Sequence, residues 1–207
     1  MKQYLALPAA LAALAFASCE NPADKTENAT VKDAVDKKVE TGGGTKYTFT
    51  PESKIEFTGS KVTGKHDGGF KTFTGYFTVK DGKPVGNDHK VTIDMASTFA
   101  DAEKLTTHLK SPDFFDVEKF PQTTFDTIEL KANSETSYTV SGNFTLHGVK
   151  KNISFPAEVS KDGDKVKIKA TFDIKRKDFG IVYTGKADDL IRDEVVIRLD
   201  LEAKPGA

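Results

Sequence analysis

One thiol, four imidazoles and a few closely spaced carboxylates are the groups in this chain with the means to do chemistry. The thiol belongs to Cys19, the single cysteine. It follows the small residues Ala17 and Ser18, at the end of an uncharged Ala- and Leu-rich run that begins at Tyr4 behind Lys2. With no second cysteine a disulfide within the chain is excluded, and stability must come from an apolar core. The imidazoles His66, His89, His108 and His147 are far apart, without the short His-to-His spacings from which metal sites are built. His147 lies on the polar parity of its run beside Gly148, and His108 lies in a helical segment, so both read as surface positions. Asp113 and Asp116 form an acid pair by spacing, but after Pro112 they are suited to accept backbone N–H groups in a turn. Arg176 and Asp178 share one strand parity, which predicts a surface ion pair at a strand rim. No Gly-x-Ser-x-Gly elbow or Gly-rich phosphate loop is present. No catalytic constellation emerges, and the expectation is a protein that is not an enzyme and takes no cofactor or metal.

A basic residue, an apolar run and small residues before a junction have the layout of an export signal. The run from Tyr4 to Ala17 is shorter than the about 20 apolar residues that span a bilayer. Phe16-Ala17-Ser18-Cys19 resembles a bacterial lipobox, with Phe16 where Leu is usual. That resemblance implies removal of residues 1–18 and a diacylglyceryl group on the Cys19 sulfur. A further chain on its amine would give the two membrane signals that stable anchoring requires. Glu20 stands where an Asp is associated with inner-membrane retention. The expected location is therefore the bacterial cell envelope, lipid-anchored, at the outer membrane, facing the periplasm or the outside. Residues 19–46 are polar and charged and end in Gly42-Gly43-Gly44, which reads as a flexible tether. Val31, Val35 and Val39 recur every four residues, a spacing that a transient helix or a solvated face accommodates equally.

The formal net charge is −1. Such a balance offers neither a phosphate-backbone footprint nor a polybasic membrane patch, so nucleic acid is excluded as a partner. The aromatic content is lopsided, with 15 Phe, 5 Tyr and no Trp. Phenylalanine carries no polar handle, so these rings imply a large dry interior.

From Tyr47 onward the hydrophobic period is two. Phe73, Phe77 and Val79 alternate with Thr72, Thr74, Tyr76 and Thr78. The same alternation runs through Val91–Met95, Tyr138–Leu146, Ile153–Val159, Val166–Ile174 and Val195–Leu201. One dry and one wet face per strand marks an antiparallel sheet. Asp81-Gly82, Asp162-Gly163 and Gly68-Gly69 supply turns. Asp101–Lys110 breaks the pattern: Leu105 and Leu109 share a helical face, and Ser111-Pro112 ends the helix. Strands that each need one face dry either close into a barrel or stack as a sandwich. Their length, and a lone helix able to cap one end, favour an all-β, antiparallel eight-stranded barrel with one or two short helices.

Three stretches carry a family resemblance. His108-Leu109-Lys110-Ser111-Pro112-Asp113-Phe114-Phe115-Asp116-Val117-Glu118-Lys119-Phe120-Pro121 resembles the central motif of the YceI-like family. Gly142-Asn143-Phe144-Thr145-Leu146-His147-Gly148-Val149-Lys150-Lys151 is similar to the family's strand-and-turn signature, and Phe172-Asp173-Ile174-Lys175-Arg176-Lys177-Asp178-Phe179-Gly180-Ile181 to its late strand. Asp193-Glu194-Val195-Val196-Ile197 also fits. The resemblance implies a lipocalin-like barrel over residues 47–205 whose apolar lumen takes an isoprenoid-type lipid, a polyprenol or isoprenoid quinone. The inward bulky residues are then the candidate lining: Phe73, Phe77, Ile93, Phe114, Phe115, Phe144, Phe155 and Phe172. Gly75 and Gly142, inward and without side chains, either leave lumen space or mark strand bends. The runner-up reading is the same barrel with a filled core, a structural or interaction lipoprotein of the envelope.

Overall fold

The computed structural model describes residues 20–206. Cys19 and the apolar run before it lie outside the described residues. Fifteen strands follow in chain order. The first seven are β1 (Glu27–Asn28), β2 (Thr30–Asp33), β3 (Thr45–Phe49), β4 (Lys54–Lys61), β5 (Gly64–Phe70), β6 (Phe73–Lys80) and β7 (Lys83–Pro84). Then come β8 (Lys90–Asp94), β9 (Thr98–Ala100), the helix α1 (Glu103–Lys110), β10 (Gln122–Ala132) and β11 (Ser137–Leu146). The chain ends with β12 (Val149–Asp162), β13 (Lys165–Lys175), β14 (Gly185–Lys186) and β15 (Asp189–Pro205).

Eight of these close on themselves in the order β13-β12-β11-β10-β8-β6-β3-β15, and β15 pairs back onto β13. Every pairing in that ring is antiparallel. Closure of the ring turns the apolar faces of its strands inward, as the alternating sequence requires. The last strand is long enough to pair with β3 near its end and with β4 along its middle, so β4, β5 and β9 extend the wall on that side. Hairpin turns fall at Gly82 and Gly163 as expected, and at Gly148, all at positive φ. Gly68-Gly69, expected as a turn, lies instead inside β5, paired with Phe57 and Glu56, where the Phe57 ring and neighbouring backbone oxygens leave no room for a Cβ. His147 and Asp116 also take the left-handed conformation, so both serve turns.

The helix forms where expected. Leu109 is buried and Leu105 half-buried on its inner face, and it stops at Ser111 before Pro112. Asp101, just before it, ties the helix to β5 by bonding His66 at 2.8 Å and the Asp67 N–H at 3.1 Å.

The tether expectation does not hold for residues 20–40. Glu27–Asn28 pairs parallel with β13, and Thr30–Asp33 pairs antiparallel with β12. Farther on, two asparagines clasp the segment by imitating a backbone. Asn143 accepts from Val35 N–H at 3.0 Å and donates to Val35 C=O. Asn87 accepts from Glu40 N–H at 2.8 Å and donates to Lys38 C=O at 2.9 Å. The physical reason is a set of free backbone groups on the barrel wall, which a polar peptide satisfies without needing apolar bulk. Val31 enters a strand rather than a helix, and Val35 and Val39 are exposed.

Candidate functional site

The barrel holds a cavity of about 170 Å³ with an entirely apolar inner surface. The walls are strands whose inward residues are Ile55, Phe57, Ile93, Phe144, Phe155, Phe172 and Ile174. Leu109, Phe114 and Phe115, from α1 and the turn after it, close one end together with Phe70. The rings interlock: Phe57 meets Phe115 edge-on at 6.3 Å, and Phe155 stacks on Phe172 at 4.0 Å. A second cavity of about 70 Å³ lies toward the β12–β13 hairpin, between Phe77, Tyr138, Val159 and His89. Phe125, Phe155, Val91, Leu199 and Leu201 line both spaces and form the partition between them.

Of the candidate lining residues, Ile93, Phe114, Phe115, Phe144, Phe155 and Phe172 meet at the main cavity. Phe77 lines the second cavity instead. Phe73 lines neither: it borders a shallow outer depression beside Thr50, Ser53 and Lys71, with its ring edge-on to Phe49. It is the first residue of β6, opposite Ile93, and packs against the core cluster without reaching the cavity. Gly75 and Gly142 leave no free space. The ring of Phe49 lies over Gly75 and that of Phe125 over Gly142, each too close to admit a Cβ. Here glycine in a strand marks the close approach of a neighbouring ring.

Phe57, Phe70 and Phe125 also line the cavity, and the alternation of Ile55 and Phe57 with Glu56 and Thr58 is a readable signal for the first of them. Arg176 departs from expectation. It makes no rim pair with Asp178, which is exposed. Its guanidinium is buried and bonds three carbonyls, Ile181 at 2.7 Å, Arg192 at 3.0 Å and Ile191 at 3.3 Å. Burial pushes its pKa down, and Asp193 partly opposes this. The side chain thus organises the loop before β15, and only its stem meets the cavity. Thr123 faces the main cavity, and its buried hydroxyl has no partner.

The four imidazoles stay apart from one another. His66 pairs with Asp101, and His108 pairs with Asp113 at 2.9 Å, both near the surface. His147 packs against Phe120. His89 is buried: its Nδ1 accepts from Thr78 N–H at 3.0 Å and its Nε2 faces Gly86 C=O at 3.2 Å. Burial lowers its pKa to about 4, so it is neutral at pH 7. Among the described residues no group of three or more His, Cys, Asp or Glu side chains is placed to hold a metal ion.

Comparison with known proteins agrees with this geometry. Residues 47–203 match the model of the YceI-like domain. A UPF0312 protein of Yersinia enterocolitica is 36% identical over 120 residues, covering 55% of this chain and 62% of that protein. A UPF0312 protein of Pseudomonas putida is 33% identical over 124 residues, 57% of this chain and 65% of that one. The chain therefore spans less than two thirds of the length of these curated relatives. Among solved structures, Burkholderia cenocepacia BcnA superposes with a TM-score of 0.66 at 23% identity, covering 81% of this chain and 100% of BcnA. A polyisoprenoid binding domain from Saccharophagus degradans superposes with a TM-score of 0.65 at 16% identity, covering 79% of this chain and 99% of that domain. These two likenesses concern the fold. With a matched domain over three quarters of its length and the closed eight-stranded ring described above, the chain belongs to the YceI-like family.

Proposed function

We infer that this protein binds the hydrocarbon tail of an isoprenoid-type lipid, a polyprenol or isoprenoid quinone, in its barrel lumen. The observation that supports this most is the apolar wall of the 170 Å³ cavity. A hydrogen-bonding group placed against such a wall goes largely unpaired, at a cost of a few kcal/mol. A hydrocarbon meets no such cost. Each buried methylene contributes about 0.8 kcal/mol, so each five-carbon unit contributes roughly 4 kcal/mol gross. Cavities of about 150 Å³ lined by aliphatic and aromatic residues stay dry and bind benzene, so the resting lumen has room for the leading unit of a tail. A longer tail needs the Phe125 partition to swing toward the second cavity. The bilayer solvates the tail equally well, which keeps exchange near balance, as a carrier requires. The Saccharophagus degradans domain of the same fold is a polyisoprenoid binding domain, which agrees with this ligand class. Purifying the protein without detergent, extracting it with organic solvent and analysing the extract by mass spectrometry tests the reading. Recovery of an isoprenoid in near-stoichiometric amount is expected. An empty extract, together with no uptake of polyprenol or isoprenoid quinone, would sink it.

The resemblance of Phe16-Ala17-Ser18-Cys19 to a lipobox supports a membrane-anchored carrier with Cys19 acylated, and Glu20 in place of Asp supports an outer-membrane position. Because Ala23 is already buried against the barrel, little free chain separates the anchor from the domain. Cys19→Ser is expected to move the protein from the membrane fraction to the soluble one. A second reading, a barrel acting through its outer surface, draws support from the small resting volume. It predicts the empty extract.

A further inference from the structure

The wall between β12 and β13 is only half closed by those strands themselves. They pair from Glu158↔Lys169 to Asp162↔Lys165, next to their hairpin turn. Beyond that they diverge, although β12 reaches back to Val149 and β13 runs on to Lys175. Diverging strands leave two rows of unpaired N–H and C=O groups. The segment Thr26–Asp33 fills this gap. On the β13 side Glu27 and Asn28 pair with Phe172 and Asp173, Ala29 N–H donates to Asp173 C=O at 2.9 Å, and Thr26 Oγ1 donates to Asp173 Oδ2 at 2.7 Å. On the β12 side Thr30–Asp33 pairs with Lys151–Ser154. The segment lies outside the matched family domain, residues 47–203.

What lies behind the segment decides its role. Ile153 and Phe155 of β12, and Phe172 and Ile174 of β13, all line the main cavity. The strap therefore closes a slit in the cavity's own side wall, and Ala29 and Val31 pack against the core there. It is also lightly held. In β1 and β2 only Val31 is better than exposed, and none of the six residues is buried. Few buried contacts and solvent-facing backbone bonds mark a segment that opens at small free-energy cost. The capped end of the barrel differs: entry there displaces Leu109 and Phe114, both buried.

The geometry points to the β12–β13 seam as the lateral entry port for an apolar chain, with Thr26–Asp33 as its removable panel. This rests on the lumen-binding reading. The strap's release bares a slit between Ile153 and Ile174 that opens on the apolar cavity. A tail enters sideways and keeps its polar head outside, so no polar group crosses the hydrocarbon lumen.

A reversible lock tests the port. Thr30 and Ser154 are cross-strand partners, and such Cα atoms lie about 4.5–5.5 Å apart, within disulfide range. The full-length acylated protein carrying Thr30→Cys and Ser154→Cys is mixed with phosphatidylcholine vesicles containing retinol, a fluorescent isoprenoid. Uptake is followed first oxidised, then after reduction of the same sample. The oxidised form should load slower by roughly tenfold and reach the same end point. Val31→Asp, which loosens the strap, should load faster than the unmodified protein. Equal rates in both redox states, or an unchanged rate for Val31→Asp, overturn the port while leaving lumen binding intact. No retinol uptake in any form overturns the lumen-binding reading and the port with it.

Discussion

The two ends of the β12–β13 wall differ in what closes them. Near the hairpin, five successive residue pairs join the strands directly. Phe77, Val79, Tyr138, Val159, Val166 and Ala203 pack behind that stretch as a small core of their own. At the far end the strands part, a borrowed segment completes the wall, and the larger cavity lies behind it. One end is closed by residues that must stay in place for the barrel to exist. The other is closed by residues that can leave without breaking any pairing between the eight ring strands. Stability and access are thereby assigned to different parts of one sheet.

The largest expected effect comes at the point where the two regimes meet. Phe155 and Phe172 are both buried and stack at the root of the split. Phe155→Ala should cost about 3–5 kcal/mol in global stability, read from the urea midpoint at unchanged slope. A cost near that of an exposed site would mean that the ring is not part of the common core. That would erase the distinction between the two ends.

The closed end has its own signature in pH. His89 sits there, buried and neutral, with its pKa lowered to about 4 from the ordinary 6.5. The unfolded chain binds the proton more readily, so the stability tied to His89 is fully present above pH 6.5. It is lost as the pH falls from there toward 4. The drop amounts to roughly 3 kcal/mol at most. Urea unfolding at pH 7 and at pH 4.5 measures it, and His89→Asn should flatten the dependence. An equally steep curve for the variant would assign the acid sensitivity to the carboxylates, among them Glu202, whose pKa Lys165 holds down.

How much of this was legible in the sequence follows from where apolar patterning acts. The eight-stranded ring and the strand-borne lining residues Ile93, Phe144, Phe155 and Phe172 follow from period-two alternation, because a buried face leaves no freedom of register. The helix α1 follows from the break in that alternation and the four-residue spacing of Leu105 and Leu109, and Phe114 and Phe115 from their place just after it. The strap did not, because its docking is made by backbone bonds and by Asn143, Asn87 and Thr26. Such contacts leave no hydrophobic trace, so a polar peptide that pairs looks the same as one that floats. Arg176 was misplaced for a similar reason. Parity put it on a rim, but its strand ends at Lys175 and a short 3-10 turn (Arg176–Phe179) redirects the side chain inward. Gly75 and Gly142 left two readings open, since only the three-dimensional partner ring decides between space and contact.

A smaller effect belongs to the strap. Thr26→Val removes the hydroxyl that bonds the Asp173 carboxylate, which is fully buried and whose Oδ1 already lacks a partner. Leaving a buried acceptor unmet costs about 1–3 kcal/mol. Hydrogen exchange should show where that cost falls. The Ala29 amide and those of Val31–Asp33 should lose protection, while Glu158–Asp162 keeps it. Uniform loss across both stretches would mean that strap and wall open as one unit, and the comparison between the two ends would collapse.

The smallest effect tests what the hollow end tolerates. The Thr123 hydroxyl is buried and unpartnered, and the residue belongs to the main cavity's lining. Thr123→Val keeps the shape and removes a group with unmet bonding capacity, so the unloaded protein should be unchanged or more stable by up to about 1 kcal/mol. If that hydroxyl meets an oxygen of the bound lipid, the variant should bind retinol more weakly and the hydrocarbon squalene equally well, in side-by-side competition. Equal binding of both by both proteins would place the oxygen outside the barrel. That is where sideways entry leaves it, so the two outcomes separate a head group drawn inside from one held at the seam.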